Sequence, residues 1–173
     1  GKFNSPSKSF VRAKKLFDSG CDILDIGGES TRPGSYEISS NKEWLRISKS
    51  LKKISKLKKF ISLDTRKEYV MRKANNYKIN LVNDISGLNY DPLTLDFLKK
   101  TKIPFVIHHI KGSPHNMQNK PNYKNVLLDI YDYFEKKLEI VRSYGINHNN
   151  IILDPGIGFG KNLKHNITIL KNI

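Results

Sequence analysis

The segment 27–34 reads Gly-Gly-Glu-Ser-Thr-Arg-Pro-Gly and brings together several residue types that can do chemistry. The mostly apolar run Ile23-Leu24-Asp25-Ile26 before it is typical of a buried strand that ends in a turn. Glycine permits close backbone approaches, and Pro33 fixes its own φ and favours an extended Arg32. The planar guanidinium of Arg32 suits a carboxylate or a phosphate. A structural strand followed by a polar turn would show part of this pattern, but the length of the run of polar and glycine residues favours a functional loop.

Apolar segments alternate along the chain with amphipathic helical patterns. Apolar spacings of three and four predict helices over 7–19, 41–60, 67–76, 92–100, 123–144 and from about 163 onward. Short apolar runs predict strands over 21–26, 60–65, 79–84, 103–109 and 151–154. This βα alternation predicts an α/β protein with a parallel sheet and helices outside it. About five strands are present, whereas a closed (β/α)8 barrel has eight, so an open doubly wound sheet is an alternative.

Polar side chains follow the predicted strands at their carboxyl ends. In a barrel those ends share one mouth, where the active site is built. We therefore expect side chains that are distant in sequence to converge there: Thr31, Arg32, Asp64, Asn83, Asp84, His109 and Asp154.

The composition narrows the classes of protein. A chain of 173 residues with 38% hydrophobic residues can form one domain with a sizeable core. A net charge of +15 raises the possibility of a nucleic-acid-binding module. However, the lysines of 49–59 alternate with apolar residues at helical spacing, and the βα loops are acidic and glycine-rich. We therefore expect no nucleic-acid partner and keep this class as the weaker alternative.

The cysteine content and the apolar runs bear on the cellular compartment. Cys21 is the only cysteine, so no internal disulfide forms, which favours a reducing compartment. No apolar run approaches the length needed to span a membrane, so no membrane partner is expected. The chain begins at Gly1-Lys2-Phe3 and stops within a helical pattern at Ile173. We expect a piece of a longer cytoplasmic protein, unless a targeting segment precedes Gly1.

Four segments resemble the motifs of one enzyme family, the dihydropteroate synthases. Residues 27–34 are similar to its loop G-G-E-S-T-R-P-G, and 62–65 to its S-V-D-T. Residues 83–86 resemble its N-D-I loop, and 154–162 its D-P-G-x-G-F-G-K-N. The resemblance implies a partial TIM (β/α)8 barrel, about strands 2–6 with their helices. It also implies a single pterin-binding domain over residues 1–173 that is incomplete at both ends.

The resemblance implies a transferase of folate biosynthesis, the target of sulfonamides. Such an enzyme condenses 6-hydroxymethyl-7,8-dihydropterin diphosphate with 4-aminobenzoate to give 7,8-dihydropteroate and diphosphate. No covalent catalytic residue is implied. The implied contacts are Asp64, Asn83 and Asp154 for the pterin, Thr31 for the diphosphate, and Arg32, Pro33 and Phe159 for 4-aminobenzoate.

The resemblance also implies a cofactor and partners. Mg²⁺ is the expected cofactor, because hard diphosphate oxygens suit it. The family ligand, in N-x-T-P-D-S-F, would lie before Gly1, so no metal ligand is assigned in this sequence. The full-length protein is expected to be a homodimer, and in some lineages of the family the domain is fused to hydroxymethyldihydropterin pyrophosphokinase. Later family motifs, S-R-K-S and Arg-x-His, would lie beyond Ile173, so these residues alone are expected to be inactive and poorly soluble.

His108 departs from the family pattern, in which a methionine stands before the histidine matched by His109. Adjacent strand residues face opposite sides, so at most one of the two enters a barrel and a two-histidine metal site is not expected. No role is assigned to His108, and Glu29 is expected to order its loop through backbone amides. A methyltetrahydrofolate methyltransferase domain is the alternative enzyme, but such domains lack Ser-Thr-Arg-Pro-Gly.

Overall fold

A computed structural model describes residues 5–173. In this part of the chain five strands alternate with six α-helices, as the sequence predicts. Two short 3-10 turns, Ser55–Leu57 and His148–Asn150, precede the second and fifth strands. The elements are α1 (Pro6–Asp18), β1 (Ile23–Gly27), α2 (Ser40–Ile54), β2 (Phe60–Asp64), α3 (Glu68–Asn75), β3 (Leu81–Asp84), α4 (Thr94–Thr101), β4 (Phe105–His108), α5 (Val126–Ser143), β5 (Ile151–Asp154) and α6 (Leu163–Leu170).

The five strands form one parallel sheet in chain order, β1-β2-β3-β4-β5. A doubly wound sheet reverses its strand order at a switch point, whereas a barrel adds each strand beside the previous one. No reversal occurs between residues 5 and 173, so the order is that of a barrel arc and contradicts the open doubly wound alternative.

One hydrophobic core joins the sheet to its helices. The strands contribute alternate residues to it, which therefore share one face of the sheet. Burial of one large apolar side chain stabilises the fold by about 1.5–3 kcal/mol. The strand members are Leu24, Ile26, Ile61, Leu63, Val82, Phe105, Ile107 and Ile151. The helix members include Ile47, Leu51, Ile54, Val70, Met71, Phe97, Leu98 and Val141.

Side-chain caps set several helix starts. Ser5 accepts a hydrogen bond from the Lys8 amide at the start of α1, and Ser39 accepts one from the Lys42 amide at the start of α2. Asn125 caps α5 in the same way. Each cap satisfies a backbone donor that has no partner within the helix.

Three predicted helix boundaries are wrong. The helix predicted from about Tyr123 begins at Val126. The helix predicted over 41–60 ends at Ile54, since a 3-10 turn follows and Lys58 adopts a left-handed conformation with φ 53°. The helix predicted from Pro92 begins at Thr94. There the Asp91 carboxylate accepts hydrogen bonds from the amides of Leu93 and Glu68. These bonds hold residues 91–93, which follow β3, in a turn against the start of α3.

The sheet has two open edges among the described residues, at β1 and β5. Ile23 and Ile152 alternate with core residues and are 48% and 49% exposed, so apolar surface lies on the face away from the helices. None of the helices between residues 5 and 173 combines the length and the apolar character that crossing a bilayer requires.

Candidate active site

The three side chains expected to bind the pterin lie on the sheet face opposite the helices. Asp64 is in register with Asn83, and Asn83 with Val106. His108, two residues beyond Val106, is in register with Asp154. Because a two-residue step returns to the same face, Asp64, Asn83 and Asp154 share the face that would form a barrel interior.

Asp64 is the most perturbed carboxyl group of this face. Burial raises its pKa to about 7, and the neighbouring charges of Asp25 and Glu43 act in the same direction. Gly27 lies opposite in β1, where an added Cβ would be 3.0 Å from Oδ2 of Asp64. The glycine therefore leaves room for this carboxyl group, which is close to half-protonated at neutral pH.

Asp154 ends β5 beside His108 and Phe159. Its Oδ1 accepts a hydrogen bond from the Gly156 amide at 2.7 Å, which fixes the carboxylate against its own loop. The buried His108 ring is 4.5 Å from the Phe159 ring in an edge-on arrangement, and its Nδ1 lies 3.2 Å from the Ile85 carbonyl oxygen. Burial lowers the pKa of His108, although the Asp154 charge opposes this. His108 thus occupies the wall between two predicted ligand contacts.

His109 and Asp84 lie on the helix-facing side of the sheet, so the expectation that they converge with Asp64, Asn83 and Asp154 is wrong. Adjacent strand residues face opposite sides, and His108 takes the place on the site face.

The His109 ring packs edge-on against Tyr133 at 4.9 Å, on the α5 side of the sheet. Burial and the charge of Lys161 lower the pKa of His109 to about 3, so the ring is neutral. Nζ of Lys161 lies 2.9 Å from Nδ1 of His109 and donates to the Phe159 carbonyl at 3.0 Å. Burial lowers the pKa of Lys161 to about 8, and this cation connects the loops after β4 and β5.

Glu29 anchors the base of the signature loop, which we define as residues 27–39. Its Oε1 accepts the Ile38 amide at 2.9 Å, which is the backbone contact expected from the sequence. Two cations also bind it: Nζ of Lys67 at 2.8 Å and Nε of Arg66 at 2.9 Å. Burial alone would raise the pKa of Glu29, but the hydrogen bonds from Arg66 and Lys67 hold it below its ordinary value.

The tip of the signature loop lies against the loop that follows β4. The Gly34 amide donates to the Pro114 carbonyl at 2.9 Å. Arg32 and Pro33 are exposed at this tip and Thr31 is half-buried. The loop therefore presents its predicted ligand contacts outward, at the carboxyl ends of the strands.

A cavity of about 180 Å³ lies among the loops after β2, β3 and β4. It is smaller than the roughly 300 Å³ at which small-molecule pockets begin. The strand-end residues Asp64, Asn83 and Asp154 do not line it. Its walls are Arg66, Ile85, Ser86, Asn89, Tyr90, Ile110, Gly112, Ser113 and Pro114.

Residues 5–173 do not bring together a group of side chains that could bind a metal ion. No three His, Cys, Asp or Glu side chains of this part of the chain are grouped so that they could hold one. The residues described here therefore do not fit a protein-held magnesium site, and we assign no ligand to them.

Two buried charged residues, Glu43 and Lys67, were missed from the sequence. Glu43 stands on the apolar stripe of α2, four residues before Ile47, and an acid in such a stripe indicates a buried partner. Lys67 stands at the start of α3, where a cation opposes the helix dipole and needs a compensating carboxylate. Both signals are visible in the pattern of residues.

Comparison with known proteins identifies the family. Residues 1–173 match the family described as "Pterin binding enzyme" over the whole chain. The chain belongs to this pterin-binding family. The dihydropteroate synthase of Haemophilus influenzae is 37% identical over all of this chain. The pterin-binding chain spans 63% of that relative's length.

Solved structures confirm the partial barrel. The Yersinia pestis dihydropteroate synthase, solved as a sulfonamide drug complex, matches 99% of this pterin-binding chain with a TM-score of 0.94 and 35% identity. That match covers 62% of the Yersinia chain. The Plasmodium falciparum HPPK-DHPS, solved with pteroate, matches 97% of this chain with a TM-score of 0.89 and 30% identity. The match covers 32% of the Plasmodium chain.

Proposed function

We propose that this chain is the central part of a dihydropteroate synthase. The complete protein would condense 6-hydroxymethyl-7,8-dihydropterin diphosphate with 4-aminobenzoate. One observation carries the proposal: Asp64, Asn83 and Asp154 share one face at the carboxyl ends of the strands, where the signature loop also lies. The named relatives support this function over a methyltransferase domain or a nucleic-acid-binding module.

The strand-end side chains suit the edge of a pterin. That edge presents a ring N–H and an exocyclic amine side by side, and one carboxylate accepts both in charge-assisted hydrogen bonds. We assign this contact to Asp154, whose Oδ1 is already held by the Gly156 amide. Asp64 and Asn83, neighbours in register, take other polar positions of the ring.

The signature loop and Phe159 suit the other two ligand groups. The Thr31 hydroxyl and the amides of its loop donate to the diphosphate. Arg32 and Pro33 border the 4-aminobenzoate, and Phe159 covers its ring. The hydrogen bond from Lys161 to the Phe159 carbonyl fixes the backbone at that position.

The reaction needs positioning and electrostatic stabilisation. The bond from the pterin methylene carbon to the diphosphate oxygen breaks, and diphosphate leaves with the electron pair. The aminobenzoate nitrogen bonds to the same carbon and loses a proton. Fixed carboxylates beside the ring stabilise the positive charge that develops on the methylene, and no covalent enzyme intermediate is required.

We keep Mg²⁺ as a proposed cofactor of the complete enzyme. When bound, it would neutralise charge on the leaving diphosphate. Its protein ligands would lie outside residues 5–173, whose acidic and histidine side chains form no such group. The contacts proposed for Asp154, Thr31 and Phe159 do not depend on the metal ion.

Four properties of the complete protein remain proposals. The chain is proposed to work within a barrel completed by further strands, since it spans 63% and 60% of the Haemophilus and Synechocystis dihydropteroate synthases. A homodimer is proposed, and a fusion to a pyrophosphokinase has a precedent in the Plasmodium protein. A reducing, cytoplasmic location is proposed from the single cysteine.

An assay of the full-length protein that contains residues 1–173 tests the function. Dihydropteroate formed from the two substrates is measured for the wild type, for Asp154→Asn and for the exposed control Asp22→Asn. We expect a fall in kcat/KM of about 100-fold or more for Asp154→Asn, because the pterin edge loses its charged acceptor, and no change for the control. A folded wild type that makes no dihydropteroate would overturn the proposal.

A further inference from the structure

Lys67 is a buried cation held between two carboxylates from different elements. Its Nζ lies 2.8 Å from Oε1 of Glu29 and 2.8 Å from Oε2 of Glu43. The side chains of Lys67, Glu29 and Glu43 are 3%, 9% and 0% exposed. Such burial is unusual for charged groups and requires close pairing.

The position of Lys67 in α3 does not explain its presence. It is the residue before the first turn of α3, where the positive end of the helix dipole disfavours a cation. It makes no side-chain cap there. The carboxylates of Glu29 and Glu43 compensate the charge of Lys67. Lys67 therefore links the signature loop, which contains Glu29, to α2, which contains Glu43.

Glu43 ties the cluster to α2. Its Oε1 is buried and has no hydrogen-bond partner among the described residues, so Lys67 is the cation that compensates its charge. The α2 backbone also meets the signature loop closely, since a Cβ on Gly28 would be 2.7 Å from the Glu43 carbonyl oxygen. Arg46 donates to the Gly28 carbonyl at 2.9 Å. The helix therefore offers a rigid base next to the loop.

Glu29 ties the cluster to the signature loop. The oxygen that binds Lys67, Oε1, also accepts the Ile38 amide, so one carboxylate joins the two ends of the segment 29–38. Thr31, Arg32 and Pro33 lie inside that segment. Rotation of the Glu29 carboxylate would break its hydrogen bond with the Ile38 amide at the far end of this segment.

We propose that Lys67 is the positioning residue of the signature loop. It holds the Glu29 carboxylate against the fixed Glu43 of α2, and through Glu29 it sets the position of Thr31, Arg32 and Pro33. It touches no substrate. The inference deepens the proposed function and rests on it for the role of those three residues.

The first test is kinetic and uses the full-length protein. Lys67→Met leaves the buried Glu43 carboxylate without its cation and leaves Glu29 with Arg66 alone, so the double variant Lys67→Met with Glu43→Leu is made beside it to keep the charges balanced. We expect the KM for 4-aminobenzoate to rise about tenfold or more in the double variant, because the loop is displaced. Binding of a dihydropterin without diphosphate, measured by calorimetry, should stay unchanged, since the strand ends hold it. The control Arg72→Met removes an exposed ion pair with Glu68 on α3 and should change neither quantity.

The second test is independent of the reaction. Hydrogen exchange of segment 29–38 is followed by mass spectrometry in the same full-length variants. We expect exchange of the Ile38 amide to rise about tenfold or more in the double variant, with the sheet strands still protected, and Lys67→Arg to restore part of the protection. Unchanged exchange in 29–38 would overturn the positioning role. A wild type without activity, but with loop exchange that depends on Lys67, would overturn the proposed function alone.

Discussion

At the scale of single residues, the structure separates carboxyl groups that look alike in the sequence. Asp84 accepts the amides of Ser86 and Leu88 and so stabilises its own turn. Burial and the neighbouring acids raise the pKa of Asp64, one strand away, to about 7. Burial raises the pKa of both groups, but Asp84 bonds to the backbone of its own turn, whereas Asp64 lies on the face of the proposed site.

The titration of Asp64 leads to the first prediction. Pterin N–H donors bind the ionised carboxylate, so affinity for a dihydropterin should rise by about tenfold between pH 6 and pH 8 as a group of pKa near 7 ionises. Calorimetry on the wild type and on Asp64→Asn measures this, and the variant should show a flat profile over the same range. A flat profile in the wild type would contradict the assignment of Asp64.

His109 leads to a prediction about stability and pH. Its pKa is lowered to about 3 in the folded state, while the unfolded state takes up a proton near 6.5. The contribution of the neutral His109 to the free energy of unfolding is therefore complete above about pH 6.5 and is lost as the pH falls towards 3. We expect the wild type to lose about 1–2 kcal/mol more than His109→Gln between pH 7 and pH 5, measured by urea unfolding. The exposed His148→Gln should behave like the wild type, and equal losses in all three proteins would argue against a buried neutral His109.

At the scale of elements, the contact between α2 and the signature loop depends on Gly28. A methyl group there would lie 2.7 Å from the Glu43 carbonyl oxygen and 2.9 Å from Cγ of Glu43. We expect Gly28→Ala to lower the free energy of unfolding by about 1–3 kcal/mol, because the helix must shift to admit the methyl group. Denaturant unfolding measures this against Lys42→Ala, an exposed change on the same helix. Equal stability of the two variants would contradict a tight contact between the signature loop and α2 at Gly28.

The element boundaries show where local patterns lose their force. Pro92 would suit the first position of a helix, yet the Asp91 carboxylate bonds to the amides of both Leu93 and Glu68 and delays α4 to Thr94. The amide of Glu68 belongs to another helix. A contact of that kind has no signature in the residues around Pro92, so the boundary was not predictable.

At the scale of the whole molecule, the open edges of the sheet determine how the 173-residue polypeptide behaves on its own. Within residues 5–173, β1 and β5 each have one strand partner, and Ile152 of β5 is half exposed. Unpaired strand edges promote association with other chains. We expect residues 1–173 alone to associate with increasing concentration in sedimentation experiments, and Ile152→Lys to reduce this. Leu128→Lys, at an exposed apolar position on α5, is the control, and an equal effect of both changes would contradict an edge-driven mechanism.

The candidate site was predictable in its parts and not in its connections. The shared face of Asp64, Asn83 and Asp154 was predictable, because each ends an apolar run and parallel strands bring their carboxyl ends to one edge. The pairing of Lys67 with Glu29 and Glu43 was missed, since those three residues belong to three elements. His108 received no role from the sequence, although its ring lies against Phe159.

The sequence by itself determined the order of strands and helices and the segments that carry the family resemblance. Those features follow from periodicity, turn residues and short motifs, which act over a few neighbouring positions. The tertiary structure decided that Asp64 titrates near neutral pH, that His109 stays uncharged, and that Lys67 joins the signature loop to α2. Charge states and ion pairs depend on burial and on distances between residues far apart in the chain, and only the folded arrangement sets these.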